Sequence, residues 1–154
     1  MKKTEILEHL RAAKVAHINW VQRAKLLISG LDIKEESIPV NSTECRFGKW
    51  FYGDGQLLNA IRNNPTESMQ NIEKLHFELH DIYLNIFKTY YSTQEQGFFS
   101  KLFGKEKKIS ESEHIMALQH FDRIKEISNK LIEEINVLER RISAISDAEI
   151  KELV

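Results

Sequence analysis

The chain has one cysteine, Cys45, two prolines and six glycines in 154 residues. A single cysteine forms no intrachain disulfide, so a secreted disulfide scaffold is excluded and a reducing cytoplasm is the expected compartment. Scarcity of proline and glycine excludes collagen-like and low-complexity classes and argues against a chain of short strands and turns. An excess of either charge is also missing. Lys plus Arg total 22 against 23 acids, a net of -1. A nucleic-acid partner is not expected, because binding a phosphate backbone needs a basic excess. No apolar h-region follows Met1-Lys2-Lys3-Thr4-Glu5, so no secretory signal is read. No apolar run approaches the roughly 18–20 residues that span a bilayer. What is present is 42% apolar residues, enough at this length for one self-sufficient core. A single domain over 1–154 is expected.

The apolar residues recur at helical spacing. Ile6, Leu10, Ala13, His17, Trp20, Ala24, Leu27 and Leu31 form one stripe, predicting a helix over 5–31 that Gly30 terminates. Lys14, Arg23 and Lys25 fall on the opposite, wet face. Residues 32–44 read as a loop. Ser42 or Thr43 is placed to cap a short helix starting near Cys45 and ending at Gly53-Asp54-Gly55. Another helical turn is read over 56–62. Pro65-Thr66-Glu67-Ser68 starts a second long helix over 66–91, striped by Met69, Ile72, His76, Leu79, Tyr83, Ile86 and Tyr90 and widened by Leu75, His80 and Phe87.

The period breaks over about 93–112. Within it, 98–108 combines Phe98, Phe99, Leu102 and Phe103 with four lysines and one glutamate, and reads as an aromatic-basic insertion. Its alternatives are a loop whose aromatics tuck onto the bundle, or a peripheral membrane or partner contact. A third long helix follows from 113 to about 146. Ile124, Leu131, Leu138 and Ile145 repeat every seven residues beside Phe121, Ser128, Ile135 and Ile142. That heptad suits a bundle seam or a dimer interface. The fold expected is all-α: an antiparallel four-helix-type bundle of three long helices plus a short one carrying Cys45.

Six histidines punctuate this scheme. His76 and His80 are spaced i, i+4, which puts both imidazoles on one helical face, about 6 Å apart at Cβ. Two imidazoles so placed can share a tetrahedral metal ion, although two polar boundary histidines have the same spacing. His17 lies on the core stripe of another helix, where an imidazole needs a hydrogen-bond partner or a metal. Cys45, between Glu44 and Arg46, opens its segment instead of closing a core stripe. Three histidines and a cysteine make a set that suits zinc over magnesium or calcium, with copper chemically open. His9 is about 12 Å along the helix from His17 and cannot join the same ion. His114 and His120 are six apart, on different faces, and are not read as ligands. Trp20 and Trp50 are read as core, Trp50 also shielding the metal loop. Gly48 is read as allowing a close backbone approach near Cys45.

Three motifs occur in order: His17-Ile18-Asn19-Trp20, then Cys45-Arg46-Phe47-Gly48-Lys49-Trp50-Phe51, then His76-Phe77-Glu78-Leu79-His80. Together they resemble the chemoreceptor zinc-binding (CZB) domain of bacterial signalling proteins. The resemblance implies one zinc held by His17, Cys45, His76 and His80. It implies a sensory role in chemotaxis or cyclic-di-GMP signalling, with zinc or an oxidant such as hypochlorous acid as the signal and Cys45 as the redox-reactive group. The resemblance also implies a homodimer, in a family whose members usually sit on chemoreceptors or diguanylate cyclases. This sequence departs from that layout in carrying no receptor signalling helices and no cyclase domain, so a signalling partner in trans, such as a chemoreceptor, a kinase complex or a diguanylate cyclase, is the expectation.

A closed four-ligand site leaves no position for an activated water, so no enzymatic activity is expected. One thiolate among three neutral imidazoles leaves the site positive, so an acidic neighbour is expected; Glu44, Glu73, Glu78 and Asp81 are the candidates by sequence. The alternative to a sensor is a zinc-stapled helical adaptor that docks a signalling partner through the 121–145 seam. A hemerythrin-like di-iron bundle is disfavoured, because no Glu-x-x-His pair faces the His-x-x-x-His.

Overall fold

The computed structural model describes residues 2–31, 41–61, 66–90 and 109–152. Among them are five α-helices: α1 (Lys3–Ile28), α2 (Arg46–Phe51), α3 (Thr66–Tyr90), α4 (Glu111–Ala144) and α5 (Asp147–Lys151). A 3-10 helix, Asp54–Ala60, joins α2 towards α3. No strand occurs among the described residues, and the chain is an all-α bundle. The aromatic-basic segment 98–108, with its suggested membrane or partner contact, lies outside the described residues, as does the loop over 32–40.

The stripe of α1 is buried from Ile6 to Leu27, but Leu31 is 55% exposed. The reason is the helix end. Gly30 takes φ +77, and the Leu31 N–H reaches back to the Leu26 carbonyl while the Gly30 N–H reaches Leu27. This left-handed closure turns the chain away before Leu31 can face the core, and Ile28 is buried instead. Lys14 is not on a wet face as expected. Its Nζ lies 2.6 Å from Glu139 and 2.8 Å from Asn136 Oδ1, both on α4.

Helix α4 starts two residues earlier than its periodicity suggests. The Ser110 hydroxyl accepts from the Glu113 N–H, and the Glu113 carboxylate accepts from the Ser110 N–H, a reciprocal cap. At the other end Ile145 is extended, and Ser146 repeats the same cap with Glu149 to begin α5. Residues 147–151 thus form a separate short helix, which buries Ile150. Lys3 Nζ donates to the Ser143 and Ile145 carbonyls, tying the start of α1 to the end of α4.

Cross-helix pairs set the directions. Arg11 and Lys14 meet Glu139, and Lys3 meets residues 143 and 145, so α1 and α4 are antiparallel. Asn71 meets Glu134 and Glu78 meets Arg123, so α3 and α4 are antiparallel too. Tyr90 reaches Ile28 and His76 reaches His17, so α1 and α3 run the same way. The heptad row Ile124, Leu131, Leu138 and Ile145 is buried within this single chain, together with Ser128, Ile135 and Ile142. The 121–145 seam expected as a docking surface is thus consumed by the chain's own core, with only Phe121 partly buried at its margin. Among the described residues no helix is long and apolar enough to cross a membrane.

Candidate metal centre

The parallel arrangement of α1 and α3 brings their histidines face to face. The ligand nitrogens of His17, His76 and His80 all lie within 4.8 Å of one another. The rings stand nearly edge-on. His17 and His76 have centroids 5.0 Å apart at 79°, and His76 and His80 4.6 Å apart at 81°. Exposure is 2% for His17, 0% for His76 and 3% for His80, so solvent does not serve these nitrogens.

Cys45 completes the group from a third element. Its Sγ lies 3.3 Å from His76 Nε2. Cys45 is itself the N-cap of α2, in place of the expected Ser42 or Thr43: its sulfur accepts from the Gly48 N–H at 3.1 Å. It also lies 3.4 Å from the Ser42 carbonyl. The Ser42 backbone nonetheless lies against α2, since a Cβ on Gly48 would overlap its carbonyl oxygen. Glycine is required here by close backbone approach, as the sequence motif suggests.

Burial decides the protonation states. His17 is lowered from the ordinary 6.5 to about 4, first by burial and then by His80, with the Ala13 carbonyl opposing. His76 is lowered to about 2, by burial and then by His17 and His80. Both are neutral at neutral pH and present lone pairs. Burial raises the Cys45 thiol, against the Gly48 and Phe47 N–H groups and the Lys49 charge. Without a cation beside it the sulfur stays protonated.

The aromatic residues divide the work differently from expectation. Trp50 is buried, but it stacks on His9 at 4.9 Å and 10°, and meets Phe47. The rings against the site are Trp20, 4.2 Å from His80, and Phe47, which meets both His17 and His76. Phe47 was the feature missed in the sequence; its place two residues after Cys45 was the available signal. The acidic neighbour is not found at His76, whose Nδ1 is buried without a hydrogen-bond partner. Glu44 and Asp81 are exposed. Glu78 is engaged by Arg123 at 2.6 Å, and Glu73 pairs with the Tyr52 hydroxyl. His114 lies 3.4 Å from the Tyr90 hydroxyl, away from the cluster.

Three buried imidazoles, those of His17 and His76 held neutral by burial, and a buried thiol form a donor set that fits a borderline-soft, four-coordinate cation, and zinc above all. The molecule is therefore a helical bundle with a closed metal-type centre between α1, α2 and α3. Residues 17–87 match the family model of the chemoreceptor zinc-binding domain, and this stretch of the chain belongs to that family of zinc-binding sensory domains. The match includes His17, Cys45, His76 and His80. No curated protein and no solved structure gives a significant match.

Proposed function

We propose that the protein senses zinc or an oxidant such as hypochlorous acid through a zinc site made by His17, Cys45, His76 and His80. The observation that carries this reading is the 3.3 Å approach of Cys45 Sγ to His76 Nε2, in a cluster of three buried imidazoles. Zinc, when bound, supplies the charge that keeps the sulfur a thiolate. Cys45 then offers an electron pair to the oxidant. Hypochlorous acid transfers its oxygen to sulfur, giving a sulfenic acid, and leaves as chloride. A sulfenic acid is a poorer ligand than a thiolate. Its loss frees α2 from α1 and α3, because Cys45 caps α2 while the histidines belong to the long helices.

Catalysis is not part of this reading, since four protein ligands leave no open position. The cytoplasm as compartment follows from the lone reduced cysteine. A homodimer, and a chemoreceptor, kinase complex or diguanylate cyclase as listener, rest on the family alone. The test is titration of the zinc-loaded protein with hypochlorous acid, following zinc release with a chromogenic chelator and Cys45 oxidation by sulfenate trapping. One zinc released per Cys45 oxidised, with helix content retained, supports a sensor. Unfolding on zinc removal by a chelator supports the zinc-stapled adaptor instead.

A further inference from the structure

Helix α2 is held to α1 at two places. Near its start Phe47 meets His17, with ring centroids 5.6 Å apart. One turn on, Trp50 stacks on His9, with centroids 4.9 Å apart and the rings within 10° of parallel. His9 precedes His17 on α1, so α2 runs antiparallel to α1, and the two attachments lie roughly 12 Å apart along it. Only the first belongs to the metal centre. Cys45 caps that end of α2, its Sγ 3.3 Å from His76 Nε2. The second attachment involves none of the four site residues. Trp50 is 7% exposed and its buried Nε1 has no hydrogen bond, so packing alone fixes the indole. A parallel stack is a preferred geometry of aromatic rings, and it is directional. Beside it Phe51 and, on the following 3-10 helix, Leu58 are fully buried. The far end of α2 therefore rests on contacts that no metal ligand supplies. His9 also falls outside residues 17–87, which match the family, so this contact is the chain's own.

We propose that His9 is the positioning residue of the cysteine arm: stacked on Trp50, it anchors the far end of α2 to α1 whether or not Cys45 holds the metal. The inference rests on the four-ligand reading above. What the loss of the thiolate frees is then the cysteine end of α2, which tilts about Trp50 while the helix stays attached. With Trp50 in place, Cys45 returns to His76 once the thiolate is restored. Without the stack, the metal must hold α2 by itself, and part of its binding free energy goes into docking the arm.

The experiment compares the full chain as wild type, as His9→Ala, which removes the stacked ring, and as His9→Phe, which keeps an aromatic face. Backbone amide exchange is followed by NMR in zinc-loaded and chelator-treated protein. In the zinc-free wild type the Gly48 and Lys49 N–H groups, which reach the Cys45 sulfur and carbonyl, are expected to lose protection. The Tyr52 and Gly53 N–H groups, which reach the Gly48 and Trp50 carbonyls, are expected to keep it. In zinc-free His9→Ala all four are expected to exchange freely, with His9→Phe behaving as wild type. Zinc affinity, read by competition with a chromogenic chelator, is expected to fall roughly 2–10-fold in His9→Ala and to recover in His9→Phe. Equal behaviour of the two ends of α2 in the zinc-free wild type, both exchanging or both protected, overturns the proposal. So does a His9→Ala chain with wild-type exchange and affinity. His9 is only half-buried; should His9→Ala nonetheless lose helix content, His9→Gln is read by the same criteria. Failure of the wild type to bind zinc removes the four-ligand reading itself, whereas the exchange pattern of the metal-free chains still decides whether His9 anchors Trp50.

Discussion

Acid is expected to destabilise the metal-free protein through His17 and His76, well above the range where carboxylates titrate. Both side chains have an ordinary value of 6.5, lowered in the fold to about 4 for His17 and about 2 for His76. The folded values lie below the unfolded one, so the unfolded chain takes up these protons first. The stability tied to the neutral rings is complete above pH 6.5. It is lost as the pH falls towards 4 for His17 and towards 2 for His76. Each group changes the unfolding free energy by about 1.4 kcal/mol per pH unit in its window. Two groups together approach about 3 kcal/mol per unit well below pH 6.5, and because the unfolded rings are only half protonated at pH 6.5 the loss between pH 6.5 and pH 5 is about 3 kcal/mol. That is a large part of the 5–15 kcal/mol typical of a domain. Glu139, held low mainly by Lys14, adds a loss of the same sign only below its ordinary 4.5. The assay is urea unfolding followed by circular dichroism in the presence of a chelator, at pH 8, 6.5 and 5. A steep fall in midpoint between the last two, with little change between the first two, is expected. A midpoint that is flat from pH 8 to pH 5 refutes the reasoning, because it means the imidazoles are solvated or already paired.

Two other substitutions probe the frame that carries the site. Gly48→Ala drives a methyl group into the Ser42 carbonyl and is expected to cost about 1–3 kcal/mol, seen as a lower melting temperature; an unchanged melting curve contradicts the close approach. Glu139→Ala removes the carboxylate that Lys14 and Arg11 of α1 share on α4, leaving Lys14 only its bond to Asn136. Because Lys14 and Glu139 are largely covered, a loss of about 1 kcal/mol is expected in urea unfolding, and it shrinks in high salt. A loss independent of salt points to packing instead.

The long helices and the grouping of His17, His76 and His80 were legible in the sequence because helical spacing fixes which residues share a face. Helical period places Ile6 through Leu27 on one face, and i, i+4 spacing places His76 beside His80. Gly30 marked the end of α1, but its left-handed turn displaced Leu31 from the stripe by a geometry that periodicity does not contain. Ser110 and Ser146 were not legible as helix starts, because a reciprocal cap depends on where the third residue's carboxylate turns back. What periodicity cannot supply is which side chain meets which across helices. Glu78 was a fair candidate for the site until Arg123 claimed it, and Phe47 gained its two imidazole contacts only when α2 docked between α1 and α3. Cys45 served as both cap and candidate ligand, two roles that a sequence motif lists as one residue.

The central claim is that His17, Cys45, His76 and His80 hold one zinc ion. Elemental analysis of the wild type and of Cys45→Ala, each purified without added metal, tests it most directly. The account predicts about one zinc per wild-type chain and a weakened, chelator-sensitive occupancy in Cys45→Ala. A wild type that carries no metal and takes up no added zinc contradicts it, and leaves a helical module with three buried histidines.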